Sequence, residues 1–461
     1  METERDGRTS IPPKWLPLAP HLFVVMDAAH PTAGGLRHCL SDVDEVALGR
    51  GETCGIAGSD GARLVLQLRD RQVSAHHARI ARRGRSWKIQ DESSTNGTWV
   101  NGRRVTDHVL SDGDIIQVGQ TFLRIRFALP TPEATPRLAT SGPDPASGKL
   151  ALTTLLPALA GELRLLERVA PAKVPVLLLG ETGTGKEVVA RALHAASGRS
   201  GSFVAVNCAA LPVSLVEGQL FGHRKGAFSG AEREELGFVR AAHGGTLLLD
   251  EIGDLSTAAQ GALLRVLQEG EVTPIGANRP VEVDVRVVAA THRPIDLMVD
   301  RGDFRHDLFA RLQGFVHRLW PLAQRREDIG VIVGDILSRL GRGNDLKVSA
   351  SAARALIMHA WPLNVRELVQ VLSRAVALVE CQVIEVEHLP FSLSEGAESS
   401  PARNEASEGL CPEDAALRAD LVERLRLCQG NVAAVARQMK KATVQVYRWM
   451  QRLGIDPRAF R

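Results

Sequence analysis

Three short stretches of this chain combine residue types that act on phosphate groups. The first, "GETGTGKE" (residues 180–187), follows the apolar run "VPVLLL" and opens a helix-forming segment. Gly180, Gly183 and Gly185 let backbone N–H groups approach an anion, and the helix N-terminus that follows favours negative charge. Lys186 has the reach to meet the β- and γ-phosphates, with Glu181, Thr182 and Thr184 completing the loop. The eighth position is Glu187, where the general pattern has a Ser or Thr whose hydroxyl meets magnesium. The second stretch, "GGTLLLDEIG" (244–253), ends a hydrophobic strand in Asp250 and Glu251. One acid there can hold Mg2+ through ATP, and the other can orient and polarise a water. A Gly-rich turn alone is often only a turn, but both motifs in this order on strands point to an ATP hydrolase. The third, "DFRHDLFARL" (303–312), carries Arg305 and Arg311. These are solvated helix arginines in a lone subunit, or arginine fingers in a ring ATPase.

The elements that must carry these groups can be read from the pattern. Continuous apolar strands such as "VPVLLLG", "GTLLLDE" and "VDVRVVAAT" alternate with helical stretches such as "KEVVARALHAAS" and "AAQGALLRVLQEG". That texture predicts an α/β block with a parallel sheet covered on both faces. It occupies residues 150–391. Residues 20–128 differ, with many short β-like runs and almost no helical period, and predict a β-sandwich. Residues 413–461 show helical periodicity only and predict a small all-α domain. Two stretches rich in Pro, Gly, Ser and charge, 129–149 and 392–412, read as linkers.

Composition sets outer bounds. The 461 residues suffice for about three domains. A formal net charge of +3 declares neither a nucleic-acid nor a membrane partner. The six cysteines are scattered without zinc spacing, which predicts a reduced compartment and no structural metal. No apolar run approaches a membrane span and the N-terminus lacks a signal-peptide core, so the expected location is cytoplasmic, with no membrane partner.

The α/β block resembles the AAA+ domain of bacterial enhancer-binding proteins, the activators of sigma-54 RNA polymerase. The resemblance rests on "GETGTGKE", "FVAVNCAAL", "QLFGHRKGAFSGA", "GGTLLLDEIGDLS", "LLRVLQEGEVTPIG", "VDVRVVAATHRPI", "FRHDLFARL", "PLAQRREDI" and "WPLNVREL", in the family's order. It implies an AAA+ P-loop ATPase with an α-helical subdomain, assembling from a dimer into a hexameric ring. Glu187 after the lysine is the family's habit. Asn207 matches its asparagine switch for the catalytic glutamate, Thr291 lies in the sensor I segment, and Arg366 is the sensor II candidate. The mobile loop that engages sigma-54 reads here Gly226, Ala227, Phe228, Ser229, Gly230, Ala231. Departures are Ser229 for Thr, His292 for the sensor I Asn, and Leu363 for Gly.

The C-terminal stretch "GNVAAVARQMKKATVQVYRWMQRLGI" resembles the Fis-like helix-turn-helix that ends most such proteins. Small residues let two helices cross closely, and Thr443 is a candidate N-cap. The resemblance implies a helix from Thr443 to Arg452 in the major groove of upstream DNA. Gln445 and Arg448 would face base edges, and Lys440, Lys441 and Arg452 would face phosphates. From residue 411 onward, about ten Lys/Arg stand against about five Asp/Glu, a locally basic balance.

The N-terminal pieces "LGRG", "VSAHHARI" and "DESSTNGTWVNG" resemble the forkhead-associated domain, a β-sandwich that binds phosphothreonine peptides. The resemblance puts Arg50, Ser74 and Thr95 at the phosphate, Asn96 at the peptide backbone, and His77 as a loop brace. Ala75 stands where many members have a second Arg. The expected input is a phosphothreonine protein or a Ser/Thr kinase. The whole then reads as a DNA-bound, sigma-54-dependent activator driven by ATP and Mg2+. The alternatives are a phosphopeptide-controlled AAA+ remodeller of another client and a non-enzymatic DNA-binding adaptor.

Overall fold

In the strand Arg63–Leu68, Arg63 is exposed while Leu64, Leu66 and Leu68 are fully buried. That period of two defines the inner face of a sheet. A computed structural model describes residues 16–141 except 61 and 85, residues 152–390 except 213–214, 228–230, 342–345 and 380, and a few positions between 421 and 439. In its N-terminal part, thirteen strands form two facing sheets of six and seven. Leu22, Val24, Val46, Leu66, Ile80 and Ile116 lie in the core between them.

The stretch read as a linker from 129 to 149 is partly sheet. The Thr121–Pro130 strand runs into it, and Leu138–Ser141 pairs antiparallel with Gly35–Cys39, Leu138 opposite His38. Ser141 Oγ accepts from Gly35 N at 3.0 Å, fixing this edge strand. Its Pro- and Ser-rich flanks carry the composition of a linker, while four residues are enough to satisfy the edge of the neighbouring strand.

In the α/β part, five strands are all parallel, in the order Phe203–Asn207, Thr246–Asp250, Arg286–Thr291, Val176–Leu179, Phe315–Arg318. The sheet is apolar on both faces. Leu177, Leu247 and Val287 pack to one side, and Val176, Leu248 and Val288 to the other. The expected helix-covered parallel sheet is what the chain forms.

The first two blocks are not separate bodies on a tether; Met1–Ser400 clusters as one unit. The reason lies in the run "LFVVM" of the Leu18–Asp27 strand, which is buried throughout. Leu22 and Val24 face the sandwich core, while Phe23, Val25 and Met26 enter a second core with Ile329, Val333, Leu356, Trp361 and Leu372 of a helical subdomain. This subdomain comprises the helices Ile329–Arg339, Ala350–Met358 and Asn364–Leu378. Backbones meet closely along the seam. A Cβ on Gly330 would lie 1.8 Å from the Val25 carbonyl oxygen, and one on Gly334 would lie 2.7 Å from that of Pro31.

Polar groups finish the seam. Glu327 is 1% exposed and takes Arg126 at 2.7 Å and Arg124 at 3.3 Å. Next to it Asp328, pushed up to about 6 by burial, accepts from Thr154 Oγ1 at 2.6 Å and Leu155 N at 2.7 Å. Arg354 donates to Gln117 Oε1 at 2.6 Å and lies over the Trp99 ring.

Pro401–Arg461 form a second unit, in which Leu421, Leu425, Val435 and Ala436 are buried. Lys440, Lys441, Thr443, Gln445, Arg448 and Arg452 lie outside the described residues. Among the described residues, no helix is long and apolar enough to cross a membrane.

Candidate active site

Parallel register brings the chemistry to one edge. Asn207 pairs with Asp250, Asp250 with Ala290, and Leu179 with Thr291, so the ends of four neighbouring strands face the same cleft. The phosphate loop leaves the Val176–Leu179 strand there and enters the Lys186–Ser197 helix. Gly180, Gly183 and Gly185 all hold positive φ, as a loop turning its N–H groups inward requires. A Cβ at Gly185 would meet nothing within 4 Å, so the cradle is open on that side.

Lys186 Nζ donates to the carbonyl oxygens of Gly180 at 2.9 Å and Glu181 at 3.3 Å. Burial lowers its pKa, while nearby Glu251 and Asp250 push it back and Arg366 lowers it further. Asp250 is shifted the other way, raised by burial and by the adjacent Glu251, with Lys186 opposing. One ammonium and two carboxylates therefore share a field that a Mg-bound phosphate chain would complete. Thr184 is buried and donates through Oγ1 to Glu181 O at 2.8 Å. Glu187 instead pairs with Arg191 at 2.7 Å, one turn along the exposed helix surface.

Contacts from the helical subdomain grip the loop from above. Asn364, at φ 57, donates through Nδ2 to Glu181 Oε2 and Thr182 O, both at 3.1 Å, and accepts from Leu322 N at 2.7 Å. Arg366 N donates to Gly183 O at 3.2 Å, and Arg325 donates to Thr184 O at 3.0 Å. Sequence reasoning missed Arg325. The only signal for it is a run of arginines before "EDI", and nothing in such a run says which of them faces the loop.

Glu251 sits at φ 53 just past its strand, with its carboxylate turned toward the sensor I segment. Thr291 is fully buried there. Asn207 does not contact that carboxylate; its Oδ1 accepts from Ala209 N at 3.0 Å and caps the short turn Cys208–Ala210. Arg305 precedes the His306–Leu312 helix and Arg311 lies in its last turn. Arg305 is held by Asp307 at 2.7 Å on the surface, and that hydrogen bond raises its pKa.

Between the helices Val216–Phe221 and Gly237–Ala241 lies the base of the "GAFSGA" loop. His223 and Glu235 exchange backbone hydrogen bonds at 3.0 Å, and Gly226 N donates to Ala231 O at 2.8 Å. Gly226 holds φ +82, a Cβ on Gly276 would lie 3.0 Å from that of Ala227, and Ala231 is buried. Phe228, Ser229 and Gly230 lie outside the described residues.

A second cluster forms at one end of the sandwich. Thr95 N donates to Ser74 Oγ at 3.2 Å, Asn96 Nδ2 to Gln72 O at 2.7 Å, and Arg50 N to Ser74 O at 2.9 Å, leaving the Arg50 side chain exposed. His77 is buried and ties these loops together. Its Nδ1 accepts from Ser74 N at 3.1 Å, and its Nε2 lies 3.2 Å from Gly97 O. Burial lowers its pKa, against the hydrogen bond to Gly97 and the nearby Asp91 and Asp70.

Comparison with known proteins assigns three regions of the chain. Residues 154–317 match the Sigma-54 interaction domain, residues 46–119 the FHA domain, and residues 323–406 the AAA+ ATPase lid domain. The acetoin catabolism regulatory protein of Cupriavidus necator is 42% identical over 329 residues, covering 68% of this chain and 49% of that protein. Transcriptional regulatory protein GlrR of Escherichia coli is 40% identical over 306 residues, covering 65% of this chain and 68% of that protein. A crystal structure of NtrX from Brucella abortus in complex with ADP aligns at TM-score 0.49 and 30% identity, over 67% of this chain and 70% of that one. The chain thus spans about half the length of the first relative and about two thirds of the second. It belongs to the family of transcriptional regulatory proteins that includes GlrR, and joins an FHA domain to an AAA+ ATPase built from a Sigma-54 interaction domain and an AAA+ lid domain.

Proposed function

We propose that the protein is a DNA-bound activator that hydrolyses ATP to convert the sigma-54 RNA polymerase closed complex into an open one, under phosphothreonine control. The convergence of phosphate loop, Asp250, Glu251 and Thr291 at one sheet edge carries this reading. Lys186 and Asp250 hold MgATP, and Glu251 takes a proton from the attacking water. Bound Mg2+ supplies charge neutralisation along the phosphates. Asn207 gates Glu251, Thr291 and Arg366 report the nucleotide state, and Arg305 and Arg311 act on a neighbouring subunit's site within a hexameric ring. Nucleotide-driven motion passes to the loop around Phe228, which presses on sigma-54. The Thr443–Arg452 helix holds the assembly on upstream DNA through Gln445, Arg448 and the flanking lysines.

The test is to incubate the protein with sigma-54, ADP and aluminium fluoride, a mimic of the hydrolysis transition state. A complex on a native gel that vanishes with Phe228→Ala is expected. ATP hydrolysis without any complex would favour the remodeller of another client.

The input is a phosphothreonine peptide at Arg50, Ser74, Thr95 and Asn96. A dianionic phosphate is met best by an arginine and short donors fixed on loops of a rigid sandwich. Replacing Arg50 by Ala removes one charge-assisted hydrogen bond and is expected to weaken peptide binding by about tenfold or more, read by fluorescence anisotropy. Equal binding would mean that the sandwich is only a docking surface. Trp99 follows the Thr95 loop closely and lies beneath Arg354 of the helical subdomain.

A further inference from the structure

The catalytic carboxylate has a partner that the family pattern does not predict. Three donors converge on the same oxygen, Oε2 of Glu251. His292 Nδ1 lies at 2.8 Å, His292 N at 3.3 Å and Thr291 Oγ1 at 3.5 Å. None of these three contacts involves Oε1. The residue expected to hold Glu251, Asn207, spends its side-chain oxygen on Ala209 N. Residue 292 therefore grips the carboxylate twice, once through its ring and once through its own backbone.

We propose that His292 is a positioning residue for ATP hydrolysis, anchoring Oε2 so that Oε1 is the oxygen that receives the proton. This rests on Glu251 being the general base, as read above. In the step it serves, water gives its proton to Oε1, and the water oxygen forms the new bond to the γ-phosphorus. ADP departs with the electron pair of the broken bridging bond. A base oriented by a third group is a recurring solution, because a freely rotating carboxylate spends little time aligned with its water. The imidazole, with its hydrogen on Nδ1, supplies that third group. The His292 side chain is 45% exposed, so its replacement leaves the apolar core untouched.

Steady-state hydrolysis by the full chain tests this. His292→Ala is expected to lower kcat about tenfold with KM for ATP changed less than about twofold, since misalignment of one catalytic group costs roughly that much or more. His292→Gln keeps an N–H donor and should recover most of the lost kcat, a rescue that a merely structural role would not give. In a Glu251→Gln background, adding His292→Ala should cause no further loss. Wild-type or faster turnover by His292→Ala, with Glu251→Gln inactive, would overturn the positioning role and leave the base assignment standing. Full turnover by Glu251→Gln would instead remove the base assignment itself. A parallel fall in kcat and rise in KM with no rescue by Gln would reduce His292 to a structural residue.

Discussion

Glu251→Gln is expected to lower kcat for ATP hydrolysis by about 10³-fold, within the range a positioned general base contributes. The amide keeps the shape and the hydrogen-bonding oxygen, so contacts with His292 and Thr291 survive. It has no basicity to offer the water. The phosphate loop, Lys186 and the Asn364 and Arg325 grip are untouched, so nucleotide binding should persist. Single-turnover hydrolysis and equilibrium binding of a fluorescent ATP analogue separate the two quantities. Loss of binding along with turnover would place Glu251 among the binding groups and take away its role as base. Because Asp250 is raised by burial and by Glu251, removing the second charge should also favour the ionised Asp250.

Glu327→Ala is expected to destabilise the unit by about 3–5 kcal/mol, the usual result of stripping one partner from a buried ion pair. Glu327 Oε1 is the meeting point of Arg124 and Arg126. Burial already pulls the Arg124 guanidinium down from its ordinary range, and Glu327 is the foremost group opposing it. Arg126 keeps Asp112 at 3.1 Å, so the unmet charge falls mainly on Arg124. Urea denaturation followed by tryptophan fluorescence reads this directly, since Trp320 and Trp361 lie in the shared core. Glu327→Gln should lose less, because the amide oxygen can still accept. An unchanged midpoint for the Ala variant would mean that the seam holds without its ion pair.

Much of the site was legible in the sequence because its chemistry is local. A phosphate loop must follow a strand and open a helix, and an acid pair must end another strand, so short words carry the requirement. Arg50, Ser74, Thr95 and Asn96 were legible through the resemblance of "LGRG", "VSAHHARI" and "DESSTNGTWVNG" to the forkhead-associated family, and Arg50 ends the Glu45–Arg50 strand while the other three lie in loops. The seam between sandwich and helical subdomain was not legible. Its contacts join residues about two hundred positions apart, as in Arg126 with Glu327. The run "LFVVM" signals a strand covered on both faces, but says nothing of what covers the second. Gly330 and Gly334 weaken a helix by propensity, and only the carbonyls of Val25 and Pro31 show why those positions are small. The exchange of Asn207 for His292 at Glu251 is a matter of side-chain direction, which spacing does not encode.

The shared core also bears on how such a chain can be rebuilt. An input domain on a tether is a cassette that can be cut off or traded for another. Here the sandwich lends Phe23, Val25, Met26 and Phe122 to the interior of the ATPase's own helical subdomain. Deleting it would bare that apolar face to water and leave Glu327 without its arginines. A truncated chain would therefore report on a damaged ATPase. A successful graft would have to bring a replacement for the face as well as for the FHA loops.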